Sequence, residues 1–287
     1  MKKGLFDKVV VIGENGQLGQ ELMKVFSDVK PRGFSREEID LSKPMDIGAV
    51  LANFSPTLVI NAAAMTNVDA CQIKANQEPA MIINAIAPTL MARYCEDHHI
   101  PFVTYSSDYA VAGANKRKGL YFETDEPLPL ENNYYARTKA SMEEMVNRKG
   151  VYTVRTSFVF GNGKNFFKAV LENAKHGKSI RVVNDQFQCA TYAVDLARQT
   201  RLMLEKDMPS GVYHVVNVGA YTLSDIARRV IEIAGIKCEV IPVTTKEYYK
   251  EATTAFASRP RRSVLVNTKL PPLRHLVEAL MEYVGTL

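Results

Sequence analysis

Tyr135-Ala136-Arg137-Thr138-Lys139 places a phenol and an ammonium four residues apart, so on a helix the two share a face. A free tyrosine ionises near about pH 10, too high to trade protons readily at neutral pH. A neighbouring lysine cation favours the tyrosinate and brings that value down. Tyr135 would then act as general acid toward a carbonyl oxygen. Such pairs also arise by chance on solvated helices, so this one draws its weight from its surroundings. Ser106-Ser107-Asp108-Tyr109 closes the apolar run Pro101–Tyr105, and the Tyr/Lys segment follows downstream. Ser107 is positioned to hydrogen-bond the same carbonyl oxygen. The alternative is a serine-rich loop that only ends a strand.

A second constellation lies near the N-terminus. Gly13-Glu14-Asn15-Gly16-Gln17-Leu18-Gly19 spells GxxGxxG between an apolar run and a helical pattern. Glycine lets the backbone approach a pyrophosphate closely, and the following helix start offers N–H groups and a positive dipole end. That context points to a dinucleotide, with a tight strand-to-helix turn as the alternative. The second strand should end near Gly33-Phe34, where a carboxylate holds a ribose diol and an arginine suits a 2′-phosphate. Ser35 and Arg36 stand there, followed by Glu37. Arg36 reads either as a cap for the 2′-phosphate of NADPH or as a solvated surface arginine.

These groups need a frame that brings them together. Lys8–Ile12, Thr57–Asn61, Pro101–Tyr105 and Val151–Thr156 read as short strands buried on both faces. Helical spacing falls between them at Gln17–Phe26, Asp46–Phe54, Ala80–Asp97 and Tyr135–Asn147. Alternation of this kind predicts an α/β protein with a doubly wound parallel sheet, whose ligands bind outside the strand C-termini. Beyond Gly161 the rhythm loosens. Helices are expected at Phe166–Ala174, Ala193–Glu205 and Leu223–Ala234, with strands at Ser179–Val183 and Gly211–Val216. The expected division is a dinucleotide-binding domain over residues 1–160, to which 191–218 returns, and a smaller, partly interleaved substrate lobe over 161–287.

The composition narrows the function classes. Charge is interspersed at a net +5, with no basic arm, so nucleic acid is not an expected partner. There is no signal-peptide pattern, and no apolar run approaches the roughly 18 residues of a membrane span, so a cytoplasmic protein with no membrane partner is expected. Cys71, Cys95, Cys189 and Cys238 are far apart and read as free thiols. The histidines lack ligand spacing, so no His/Cys metal site is expected. Carboxylates that bind Mg2+ at a subunit interface remain open.

Many ordered matches now coincide. Beside the segments above stand Asn61-Ala62-Ala63-Ala64 with Thr66, Val68 and Asp69, then Arg155-Thr156-Ser157, Gly163 to Phe166, Asp185-Gln186, Thr191-Tyr192, and Arg259-Pro260 with Ser263 and Leu265. Over nearly its whole length the chain resembles the extended short-chain dehydrogenase/reductases, and within them the dTDP-4-dehydrorhamnose reductase family. The resemblance implies a Rossmann-like domain, NADPH or NADH as cofactor, a dTDP-sugar as substrate and a homodimer as one assembly. It implies Ser107, Tyr135 and Lys139 as catalytic residues, with Lys139 also holding the nicotinamide ribose. Gly13, Gly16, Gln17, Leu18 and Gly19 would line the pyrophosphate, Asp40 and Leu41 the adenine, and Ala62, Ala63 and Ala64 the cofactor cleft. Thr66, Val68, Tyr109 and Phe158 would face the sugar, and Asn165, Gln186 and Arg259 the nucleotide side.

The chain departs from the family pattern in places. Ala136 replaces a glycine, Ser107 a threonine and Phe158 a tryptophan, while Gln188 and Ala190 stand where a glycine and a proline are usual. The last changes bear on the sugar more than on the reaction. Two other readings remain: a non-catalytic regulatory subunit like that of methionine adenosyltransferase, and an epimerase or dehydratase of the same superfamily. Intact Ser107, Tyr135 and Lys139 argue against the first, and stoichiometric consumption of the nicotinamide cofactor separates a reductase from an epimerase.

Overall fold

The computed structural model describes residues 4–114, 116–177, 179–250 and 256–287. One sheet is built from β1 (Val9–Ile12), β2 (Arg32–Phe34), β3 (Leu58–Asn61), β4 (Phe102–Ser107), β5 (Val151–Thr156) and β6 (Gly211–His214). Every pairing is parallel, in the order β6-β5-β4-β3-β1-β2. All four residues of β1 are buried because helices cover both faces. Val9 and Val11 pack with Leu22 of helix Gln17–Val25, with Phe26 just past its end, and with Leu196 and Met203 of helix Ala193–Glu205. Val10 and Ile12 point the other way, onto Leu51, Met91 and Met142. This period-two division makes the layers of a doubly wound sheet. From β1 the chain turns to β2 on one side and later to β3 on the other. That reversal opens a crevice at the strand C-termini.

The second lobe takes chain from both halves. Tyr221–Thr222, Phe187–Gln188, Arg262–Leu265 and Leu120–Tyr121 form its four-stranded sheet. Leu120–Tyr121 thus leaves the first 160 residues to pair with Arg262–Leu265, whereas β6 returns to the main sheet. Helices Phe166–Lys175, Leu223–Ile233 and Leu276–Gly285 close on one core that includes Phe160, Phe167, Ile226 and Tyr283.

The helix expected over Ala80–Asp97 is interrupted. Lys74–Met81 and Ala87–Asp97 flank a π-helical turn at Ile82–Ile86. Pro88 has no N–H to give to the carbonyl four residues back, and the wider turn absorbs the mismatch. The turn also buries Asn84. Its amide accepts from Met65 N at 2.7 Å and donates to Met65 O at 3.0 Å and Thr138 Oγ1 at 3.1 Å. It thereby joins the loop after β3 to the helix that carries Tyr135.

Candidate active site

A cleft of about 1070 Å³ opens at the C-terminal ends of the sheet strands. Its phosphate end is the turn after β1. A Cβ on Gly13 would come within 2.8 Å of Ala63 N, and one on Gly19 within 2.0 Å of Gly13 O. Gly19 therefore serves helix–strand contact and does not line the cleft, while Gly13, Gly16, Gln17 and Leu18 do. No side chain caps the helix at Gly16, so its first N–H groups are left to a ligand. A close backbone cradle with an uncapped helix start fits a dinucleotide pyrophosphate.

Arg36 is exposed at the cleft wall beside Ser35. Asp40 and Leu41 line the same end. Bonds from Ser42 hold the Asp40 carboxyl below its usual range, with a smaller contribution from the Arg36 charge. Ala62, Ala63 and Ala64 form the adjoining wall, and Asn61 turns its amide oxygen back to Ala63 N at 3.2 Å.

The reactive end combines three elements. Ser107 ends β4, and Tyr135 and Lys139 lie one turn apart on helix Tyr134–Met145. Asn133 caps that helix by accepting from Ala136 N at 2.8 Å, which fixes the helix start one residue before Tyr135. Lys139 Nζ donates to Tyr105 O at 2.9 Å and sits 6.0 Å from the Tyr135 ring centroid. Burial lowers the Lys139 ammonium to about 8, against the pull of Glu143 and Cys71.

Tyr135 differs from the expectation. Burial lifts its phenol above the ordinary tyrosine value, the Asp108 charge adds to that rise, and a hydrogen bond with Ser107 opposes it. Lys139 directs its ammonium at a backbone carbonyl, and burial outweighs its charge at the phenol. The phenol therefore keeps its proton at neutral pH, as a proton donor must.

Thr66, Val68, Tyr109, Phe158 and Arg259 all line the cleft. The Tyr109 ring meets Tyr135 edge-on at 6.3 Å. Phe158 takes φ 42, a left-handed conformation unusual for an aromatic residue, and its ring packs against Phe166 and Phe167. Arg259 donates to Ala257 O at 2.6 Å and to Asp69 Oδ2 at 2.9 Å, the latter a link between the second lobe and the short helix Val68–Gln72.

Two residues expected on the nucleotide side are absent from the cleft wall. Asn165 caps helix Phe166–Lys175 by accepting from Lys168 N at 3.0 Å, and its amide nitrogen donates to Tyr283 Oη at 2.8 Å. Gln186 is buried and donates to Thr245 Oγ1 at 2.8 Å. Both hold the second lobe together, a task that spacing along the chain does not reveal. Conversely, Asp108 and Ser157 reach the cleft without a role in the sequence reading, and Gln188, whose departure from the family pattern bears on the sugar, reaches it too. Asp108 had a visible signal, as an acidic residue directly after a strand buried along its whole length.

The buried ion pair Arg155–Glu143 braces this end from behind. Arg155 Nε donates to both Glu143 oxygens at 3.0 Å, and its Nη2 donates to Asp125 O at 2.8 Å. The four cysteines are free thiols. Among the described residues no group of three or more His, Cys, Asp or Glu side chains is placed to hold a metal ion, and no helix is long and apolar enough to cross a membrane.

Residues 7–283 match the family described as RmlD substrate binding domain. The chain belongs to this family. It is 32% identical over 280 residues to a dTDP-4-dehydrorhamnose reductase of Burkholderia thailandensis, covering 92% of this chain and 91% of that protein. It is 31% identical over 292 residues to the spore coat polysaccharide biosynthesis protein SpsK of Bacillus subtilis, covering 96% of each. Its backbone superposes on a dTDP-4-dehydrorhamnose reductase from Bacillus anthracis in complex with NADP with a TM-score of 0.89 at 27% identity, over 98% of this chain and 99% of that one. A UDP-glucose 4-epimerase of Thermus thermophilus in complex with NAD shares the fold alone, at 19% identity and a TM-score of 0.77.

Proposed function

We propose that this protein reduces the C4 ketone of dTDP-4-dehydro-L-rhamnose to the alcohol, giving dTDP-L-rhamnose, with NADPH or NADH as the hydride source. The observation that carries the reading is the convergence of Ser107, Tyr135 and Lys139 at one end of a cleft whose other end is an uncapped glycine turn. The B. thailandensis and B. anthracis relatives carry the reductase name, and the latter is bound to NADP.

The bound nicotinamide supplies the hydride. Tyr135, kept neutral by burial, donates its phenolic proton to the oxygen that becomes the alkoxide. Ser107 hydrogen-bonds that oxygen and fixes its direction. Lys139 holds a positive charge beside the phenol below about pH 8, where the tyrosinate left by proton transfer needs it. Gly13, Gly16, Gln17 and Leu18 bind the pyrophosphate, Arg36 the 2′-phosphate, Asp40 and Leu41 the adenosine, and Ala62, Ala63 and Ala64 the cofactor's inner side. Thr66, Val68, Tyr109 and Phe158 enclose the sugar, with Arg259 toward the diphosphate. The intact proton-donor set favours an enzyme over a regulatory subunit. The reading extends to a cytoplasmic enzyme that forms a homodimer, the assembly being checked by light scattering.

The test is a panel of dTDP-keto-sugars with NADPH and NADH, followed at the nicotinamide absorbance. Stoichiometric cofactor consumption with dTDP-4-dehydro-L-rhamnose supports a reductase. Catalytic cofactor use would indicate an epimerase instead. Tyr135→Phe should lower turnover by about 10²–10⁴-fold with the NADPH Kd nearly unchanged. A Phe variant with near wild-type turnover would remove Tyr135 from its role.

A further inference from the structure

Asp108 is a buried acid at the reactive end, 2% exposed, to which the reading above gives no task. Its hydrogen-bond partners are hydroxyls. Ser107 Oγ donates to Oδ1 at 3.0 Å and Ser263 Oγ donates to Oδ2 at 2.5 Å. A buried carboxylate with only neutral partners is costly, and such groups in clefts are disproportionately functional.

A hydrogen count at Ser107 shows what the acid controls. A serine hydroxyl has one hydrogen and two lone pairs. One lone pair accepts from Tyr109 N at 3.2 Å, and the hydrogen goes to Asp108 Oδ1. The Tyr135 phenol, whose pKa a bond from Ser107 lowers, draws on that same hydrogen. In this arrangement Ser107 has no hydrogen for a ketone oxygen. A proton on Asp108 removes the conflict. Ser263 already occupies Oδ2, so the proton belongs on Oδ1, facing Ser107. Asp108 then donates to Ser107 Oγ. The Ser107 hydrogen is released.

We propose, resting on the reductase reading, that Asp108 is a positioning residue whose proton reverses the Asp108–Ser107 hydrogen bond and turns Ser107 into a donor to the substrate ketone. Asp108 transfers nothing to product, because the proton that ends on the sugar is that of Tyr135. Ser263 lies on Arg262–Leu265 of the second lobe, so the lobe's seating sets which Asp108 oxygen carries the proton.

The carboxyl is suited to this. Burial pushes it up to about 6, against the hydroxyls of Ser263, Ser107 and Ser157. The ionisable groups that face it are Tyr109 beside it, Tyr135 on the catalytic helix and Cys189 in the second lobe. Burial raises all three, so each stays neutral through the range in which Asp108 titrates.

The experiment compares wild type with Asp108→Asn. In the variant the amide nitrogen donates permanently to Ser107 and the amide oxygen accepts from Ser263. Wild-type kcat/KM for NADPH-dependent reduction of dTDP-4-dehydro-L-rhamnose should rise about tenfold per pH unit as pH falls from about 8, levelling near 6. Asp108→Asn should lose the limb centred near 6 and fall only as Lys139 titrates at about 8, staying within a few-fold of the wild-type plateau with the NADPH Kd unchanged. A limb near 6 retained in the variant overturns the proposal, as does loss of turnover at every pH with NADPH binding intact. A second measurement needs no turnover. The 13C resonance of the Asp108 carboxyl, assigned by its absence in Asp108→Asn, should titrate well above the ordinary aspartate value. An ordinary titration overturns the proposal even if reductase activity is present. A wild type that reduces no dTDP-keto-sugar would sink the reductase reading while the carboxyl titration still decides the hydrogen-bond reversal.

Discussion

Replacing Lys139 by methionine should stabilise the cofactor-free protein at neutral pH while abolishing turnover. Lys139 is 4% exposed, and burial brings its ammonium from 10.5 to about 8. A lowered pKa on a base means that the folded chain holds the proton less tightly than the unfolded chain. The cost is fully present below the folded value of about 8 and fades as pH rises from there toward 10.5. At about 1.4 kcal/mol per pH unit, the difference amounts to about 3 kcal/mol at neutral pH. Raising the pH from about 7 to about 9.5 recovers about 2 kcal/mol of it in the wild type, because the folded lysine deprotonates while the unfolded one does not. Methionine carries no charge and lacks this dependence. Urea denaturation of both proteins without cofactor at the two pH values measures the gap between them. The gap should move by about 2 kcal/mol in favour of the wild type at the higher pH. A gap that does not change with pH would mean that Lys139 titrates as an ordinary lysine and that burial does not set its charge.

Three further outcomes are expected. Arg36→Ala should weaken NADPH binding and leave NADH binding nearly unchanged, measured as Kd by nicotinamide fluorescence; equal losses would mean that Arg36 does not read the 2′-phosphate. Glu143→Gln leaves the Arg155 guanidinium, 1% exposed, without its carboxylate and should cost about 3–5 kcal/mol of stability by urea denaturation. Restoring glycine at 188 and proline at 190 should change the ratio of kcat/KM across dTDP-keto-sugars, since Gln188 lines the cleft, whereas unchanged ratios would show that this loop does not set sugar preference.

Local pattern along the chain was enough for the frame. Lys8–Ile12, Thr57–Asn61, Pro101–Tyr105 and Val151–Thr156 announce buried strands because a parallel sheet covered on both faces needs continuous apolar runs. The glycine turn and the Tyr135–Lys139 spacing are equally local, since a turn and one helical repeat determine them. The helix boundary at Pro88 was not legible, because the adjoining pattern is helical on both sides and the π-helical turn is a compromise forced by one missing N–H. Leu120–Tyr121 is too short to announce itself and becomes a strand only by pairing with Arg262–Leu265.

The chemistry of the site divides the same way. Residue type and spacing named Ser107, Tyr135 and Lys139, but not their charge states. Those depend on how much water the second lobe excludes and on which atoms receive each hydrogen. Burial overrides the lysine's influence on Tyr135, and Lys139 turns to the carbonyl of Tyr105. Asn165 and Gln186 carry the right chemistry for a nucleotide, yet tertiary packing commits them to Tyr283 and Thr245. Asp108 and Ser263 are 155 residues apart, and only the folded chain brings them into hydrogen-bond contact. Sequence determined which groups are present and which local shapes they adopt. Tertiary structure decided which of them meet, because burial and hydrogen-bond saturation are properties of the assembled site.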